Sequence, residues 1–251
     1  MQDSRFYPAP SLGRHGVIEA LPTVRALAAL WDEVRGRALW APPHFFTYLR
    51  LRWRMRLGLL DVARVRRVAP PGKVSDCSAC TDLCCIGRHS TVLLRLRDIA
   101  VLMDLGKTEL VAQERPRFTP DELASRPALR RQVGSAGWRR FPVLAQNGFG
   151  ACRALTDEGQ CSLYPYWPLS CARFPYALHL EAKEVFFSRR CGSFWLRGDG
   201  KAEERILAMT VATVASYNER IKDEVLLAYA PQRLAELGIL EFLAPAAQNW
   251  P

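Results

Sequence analysis

Eight cysteines lie between Cys77 and Cys191, and their spacing is the strongest chemical signal in the chain. The run is Cys77-x2-Cys80-x3-Cys84-Cys85, then Cys152-x8-Cys161-x9-Cys171, then Cys191. A C-x2-C turn brings two sulfurs within reach of one ion, while the intervening backbone amides point at them. Zinc takes four such thiolates tetrahedrally at about 2.3 Å. A [4Fe–4S] cluster also takes four, around a larger cube. The donor set suits either, and the expected metal ligands are Cys77, Cys80, Cys84, Cys85, Cys152, Cys161, Cys171 and Cys191. Adjacent Cys84 and Cys85 point their side chains in different directions, so they divide between two sites or one of them packs without ligating. Eight thiols suit two four-cysteine sites, or one site with spare thiols. A lone buried cysteine usually serves as core; this spacing asks for more.

Compartment and size argue against disulfides. A chain of 251 residues, 49% of them hydrophobic and 24% charged, buries an adequate core without covalent staples. The N-terminal stretch has no basic segment followed by an apolar run, so a leader peptide is not expected. No run of about 18 apolar residues occurs, so a transmembrane span is not expected either. These signs point to a reducing cytoplasm, where thiols stay free or bind metal.

The charge is uneven. Residues 1–73 hold thirteen Lys/Arg against five Asp/Glu, whereas residues 192–251 hold six against eight. Eight ligating thiolates with two Zn²⁺ would lower the formal charge from +10 to +6, which weakens any argument for nucleic acid from basicity alone.

The elements that must position these residues fall into three segments. Residues 21–40 read as a helix with Thr23 as N-cap. The segment from His44 to Arg67 alternates apolar residues with arginine between Leu49 and Leu57. It also carries a helical stripe of Phe46, Leu49, Trp53, Leu57 and Leu60, and is read as a helix. Its arginines, over 50–67, would suit an acidic partner, nucleic acid or a membrane surface, or simply form a solvated face. Residues 68–72 read as a linker. Residues 91–105 read as a helix closed by Gly106, and Thr119-Pro120-Asp121-Glu122 as a helix start. Short segments flank the turn Asp157-Glu158-Gly159, Cys152–Leu155 on one side and Cys161–Tyr164 on the other, and Tyr176–Leu180 with Val185–Arg189 make a second hairpin. Helices are expected over 203–228 and 233–242. His89, four residues after Cys85, reads as an exposed loop residue, or else as one that replaces or hydrogen-bonds a thiolate; His15, His44 and His179 lack ligand spacing. Tyr164, Tyr166, Trp167, Phe174 and Tyr176 are expected to wall the cluster, excluding water or else binding substrate.

The segment Cys77–Cys191 resembles the YkgJ-type cysteine-cluster family, also described as the CxxCxxxCC zinc- or iron-chelating domain. The resemblance covers about 115 of the 251 residues. It is carried by the cysteine run, by Cys152-Arg153-Ala154-Leu155, by Gly159-Gln160-Cys161, and by Tyr164-Pro165-Tyr166-Trp167-Pro168-Leu169-Ser170-Cys171-Ala172-Arg173-Phe174-Pro175. Trp167 stands where that pattern has Arg, and Ala172 follows Cys171 where Arg is usual, with Arg173 one place later. A guanidinium there would donate to thiolates and offset their charge. The resemblance implies metal binding more firmly than a reaction. A related domain in flagellin lysine N-methylases makes methyl transfer conceivable, but no Gly-rich adenosylmethionine loop is present.

The expected fold class is α+β: a small cysteine-rich metal-binding core of short strands and loops, with helices packed around it from both termini. The expected division is a basic, mostly helical extension over 1–73, the cysteine-cluster domain over 74–192 and a helical extension over 193–251. The expected function is metal binding through zinc or an iron-sulfur cluster. Alternatives are an iron-sulfur oxidoreductase or methylase-like enzyme, and a zinc-stabilised module binding nucleic acid or protein. No catalytic residues can be named.

Overall fold

A computed structural model describes residues 15–36, 49, 53, 59–68, 73–75, 91–114, 141–158, 161–174, 176–180, 182–187, 194–196 and 201–243. They form an α+β fold of helices and short strands. Helices α1 (His15–Glu19) and α2 (Pro22–Gly36) come first, then strands β1 (Arg66–Val68) and β2 (Lys73–Ser75). Helix α3 (Leu96–Asp104) precedes strands β3 (Val111–Glu114) and β4 (Phe141–Leu144). A single turn of helix, α4 (Leu169–Ala172), leads into β5 (Tyr176–His179), β6 (Glu184–Phe187) and β7 (Phe194–Leu196). The long helix α5 (Lys201–Tyr229) and the short α6 (Pro231–Glu236) follow.

The strands form three small sheets. In one, β6 lies between β5, its antiparallel hairpin partner, and β1, which runs parallel to it with Val185 opposite Arg67. The others are the antiparallel pairs β2–β7 and β3–β4. The main core is helical. Val24, Leu27, Leu30, Trp31 and Val34 recur at helical spacing on α2 and meet Leu96, Ile99, Ala100 and Leu102 of α3, with Val225, Leu226, Leu234 and Ile239 from the C-terminal helices. Ala154 and Leu163, from the cysteine-bearing turns, enter the same cluster, so it draws on all three segments of the sequence. A second cluster joins Val65, Tyr176 and Val185 to Met209 and Val214 of α5. Buried hydroxyls on that helix are satisfied locally: Thr210 and Thr213 each donate to the carbonyl four residues back, at 2.7 Å.

Several expectations change. Helix α2 begins at Pro22, so Thr23 sits inside its first turn; the cap is the Asp104 carboxylate, which accepts the Thr23 amide at 2.9 Å and the Val24 amide at 3.3 Å. In the arginine-rich segment Leu49 and Trp53 are helical and exposed, but the helix does not run to Arg67. The Asn218 side chain bonds both backbone groups of Leu60 at 2.9 Å, Asp61 caps a 3-10 turn over Val62–Arg64, and Arg66–Val68 pair with β6. Tertiary hydrogen bonds here replace the local helical ones. Val68 belongs to β1 rather than to a linker, and 69–72 lie outside the described residues.

The helix expected over 91–105 starts only at Leu96, because the Leu94 amide and the Val92 carbonyl pair with Pro142 and Leu144 of β4. Gly106 does close it, at φ +63°. The helix expected over 233–242 breaks at Gly238, φ +74°, and ends as a 3-10 turn. The helix start at Thr119 lies outside the described residues. Among the described residues no helix is long and apolar enough to cross a membrane.

Candidate metal centre

Three of the eight cysteines, Cys152, Cys161 and Cys171, lie among the described residues, and all are half-buried. Cys77, Cys80, Cys84, Cys85 and Cys191 lie outside them, as do His44 and His89. Among the described residues no three His, Cys, Asp or Glu side chains gather closely enough to hold a metal ion.

Backbone pairing places the first two thiols. Beyond β4 the chain turns at Asn147, whose side-chain oxygen accepts the Phe149 and Ala151 amides at 3.0 Å. It returns so that Cys152 pairs with Gln146 and the Arg153 amide donates to Ala145. After the turn at Asp157-Glu158, Cys161 pairs with Leu155 and the Ser162 amide donates to Ala154 at 2.7 Å. The expected hairpin is thus present as single bridges. Cys152, Cys161, Tyr166 and Trp167 all pack against the main core.

Cys161 has the more telling surroundings. Burial pushes its thiol pKa up, and four neighbours oppose that: the Leu163 amide, the Lys107 ammonium, the Trp167 side chain and the Tyr164 amide. Lys107 is held there by a 2.8 Å bond from its Nζ to the Ser162 carbonyl. Burial outweighs these neighbours, and the thiol pKa is raised overall.

Cys171 is set by α4. Asp98, buried at the start of α3, accepts the Arg95 amide at 2.9 Å and the Leu169 amide at 3.0 Å, which caps two helices with one carboxylate. The Ser170 hydroxyl donates to the Leu93 carbonyl at 2.7 Å, and α4 packs on α5. Burial raises the Asp98 pKa, against its hydrogen bonds and the nearby Arg97 and Arg95. Asp223 of α5, close by, accepts the Leu96 amide at 3.3 Å; burial pushes its pKa well up although Arg95 opposes this.

The aromatic residues do not form one wall. Trp167 meets Tyr164 edge-on, centroids 5.3 Å apart, beside Cys161. Tyr176 belongs to the second core cluster, against β6 and α5. Arg173 directs its guanidinium to the Tyr176 carbonyl at 3.4 Å. His179 accepts the Ala182 amide at the tip of the β5–β6 hairpin.

Asp98 and Lys107 carried no ligand spacing and escaped sequence reasoning. The one available signal was an aspartate inside the apolar run Thr91–Leu105. Compared with protein-family models, with curated proteins and with solved structures, the chain matches none.

Proposed function

We propose that this chain is a metal-binding protein, of the YkgJ-type cysteine-cluster kind, working in a reducing cytoplasm. Cysteine thiolates drawn from Cys77, Cys80, Cys84, Cys85, Cys152, Cys161, Cys171 and Cys191 would hold zinc or an iron-sulfur cluster. The observation that supports this reading is the spacing Cys77-x2-Cys80-x3-Cys84-Cys85, with Cys152, Cys161, Cys171 and Cys191 beyond it.

The residues around the thiols divide the work. Asp98 fixes the helix that carries Cys171, the paired turns fix Cys152 and Cys161, and the latter two pack against the main core. Zinc bound here would supply structural cross-linking, and an iron-sulfur cluster would supply electron transfer.

The test is elemental analysis with an absorption spectrum on protein purified without oxygen. Stoichiometric zinc in colourless protein, or iron with sulfide and broad absorption near roughly 400 nm, supports metal binding and names the metal. Protein without stoichiometric metal that also fails to take up zinc or iron would sink the reading.

A further inference from the structure

We propose that Asn147 is a site of spontaneous modification: the backbone nitrogen of Gly148 attacks its carboxamide and converts it to isoaspartate and aspartate. The site stands apart from the metal-binding reading.

Of the chain's three asparagines, Asn147, Asn218 and Asn249, only Asn147 is followed by glycine. It lies in the exposed turn between β4 and Cys152. The Asn147 amide meets the Ala151 carbonyl at 2.8 Å, and the Gly150 amide meets the Asn147 carbonyl at 2.9 Å. The Asn147 Oδ1 accepts the Phe149 and Ala151 amides, both at 3.0 Å. Among the described residues nothing accepts the Gly148 amide or the Asn147 Nδ2. Nor does the turn require glycine at 148. Gly150 has φ +82°, whereas Gly148 lies outside the left-handed region, and a Cβ there would meet nothing within 4 Å. The nitrogen of Gly148 is thus exposed to solvent, unbonded and unshielded.

Those features are what ring closure needs. Solvent base takes the Gly148 amide proton, and the nitrogen bonds to Cγ of Asn147, closing a five-membered ring. Nucleophile and carboxamide sit on adjacent residues, so no encounter is required. Negative charge develops on Oδ1, where the Phe149 and Ala151 amides already point, as donors do in an oxyanion hole. The Cγ–Nδ2 bond then breaks, and Nδ2 leaves as ammonia with a proton from water. Water opens the resulting succinimide at either carbonyl, giving isoaspartate or aspartate, with nothing oxidised or reduced. Asn218 is the opposite case. It lies within α5, Glu219 follows it, and both ends of its carboxamide are bonded to Leu60 at 2.9 Å.

The experiment incubates the full chain in mildly alkaline buffer and follows peptides spanning residues 147–148 by mass spectrometry. Asn147 should be lost to two products of the acid mass, isoaspartate the larger, while Asn218 stays intact in the same sample. The loss should be at least as fast in the folded chain as in the chain unfolded in guanidinium chloride. Gly148→Ala, which the open space at 148 accommodates, should slow it about tenfold, because a Cβ restricts the backbone angles that ring closure uses. Protection of Asn147 by folding would overturn the proposal, as would equal loss from Asn218. Aspartate without isoaspartate would also overturn it, since direct hydrolysis bypasses the Gly148 nitrogen. So would a Gly148→Ala variant as fast as wild type.

Discussion

Asp98 accepts the backbone amide of Leu169 at 3.0 Å, 71 residues along the chain, and the partnership joins the start of α3 to the start of the helix carrying Cys171. The second carboxylate oxygen takes the Arg95 amide. Replacing Asp98 by Ala leaves two amides without their acceptor and opens a small void. The expected loss is about 2 kcal/mol in urea unfolding. Cys171 should also react faster with a thiol reagent, because its helix has lost an anchor. A variant within about 0.5 kcal/mol of wild type, with unchanged Cys171 reactivity, would show that the shared cap does not hold α4 in place.

Asp104 does the same for α2 from the other end of α3. Its carboxylate takes the Thr23 hydroxyl and the Thr23 and Val24 amides, fixing the two core helices against each other. Asp104→Ala should cost about 1 kcal/mol, in the range of a lost N-cap. Thr23→Val should cost less, since the amides keep their acceptor. The reverse order in thermal or urea melts would mean that the hydroxyl, not the carboxylate, is the main support.

Part of this architecture was legible in the residues. The helix over 22–36, the glycine that closes α3, the β5–β6 hairpin and the long helix over 203–228 all followed from helix formers, periodicity and turn chemistry. What was hidden depends on partners distant in sequence. Thr23 looked like a cap because Ser and Thr usually are, yet the acceptor comes from Asp104. The arginine-rich segment fitted both periods over part of its length, and Asn218, 158 residues on, fixes where its last turn ends. For the candidate centre, cysteine spacing nominated the ligands, but only the fold shows that Lys107 and Trp167 attend Cys161 while Tyr176 belongs elsewhere.

Metal and folding should be coupled if the thiols ligate. Cys161→Ser and Cys171→Ser are each expected to lower bound metal, and chelation should lower the melting temperature of the wild type more than that of either variant. The contrast matters because a serine at a purely apolar core position would destabilise without touching metal content. Full metal retention in both variants would remove Cys161 and Cys171 from the ligand set.

Asp223 gives a pH dependence whose sign is fixed by its surroundings. Burial raises its folded pKa well above 3.8, the repulsion of Glu219 and Asp98 adds to this, and Arg95 compensates in part. A carboxyl with a raised folded pKa holds its proton longer in the native state than in the unfolded chain. Its contribution is therefore most favourable below the unfolded value and is lost as pH rises through the folded one. Asp223→Asn cannot ionise and lacks that slope. The stability of wild type minus that of Asp223→Asn, from urea melts, should accordingly fall as pH rises from about 4, the ordinary carboxyl value, towards neutrality. The variant should gain on wild type throughout that window. A difference that stays flat, or that grows with pH, would mean that Arg95 holds Asp223 ionised in the native state at low pH, and that burial does not govern its titration.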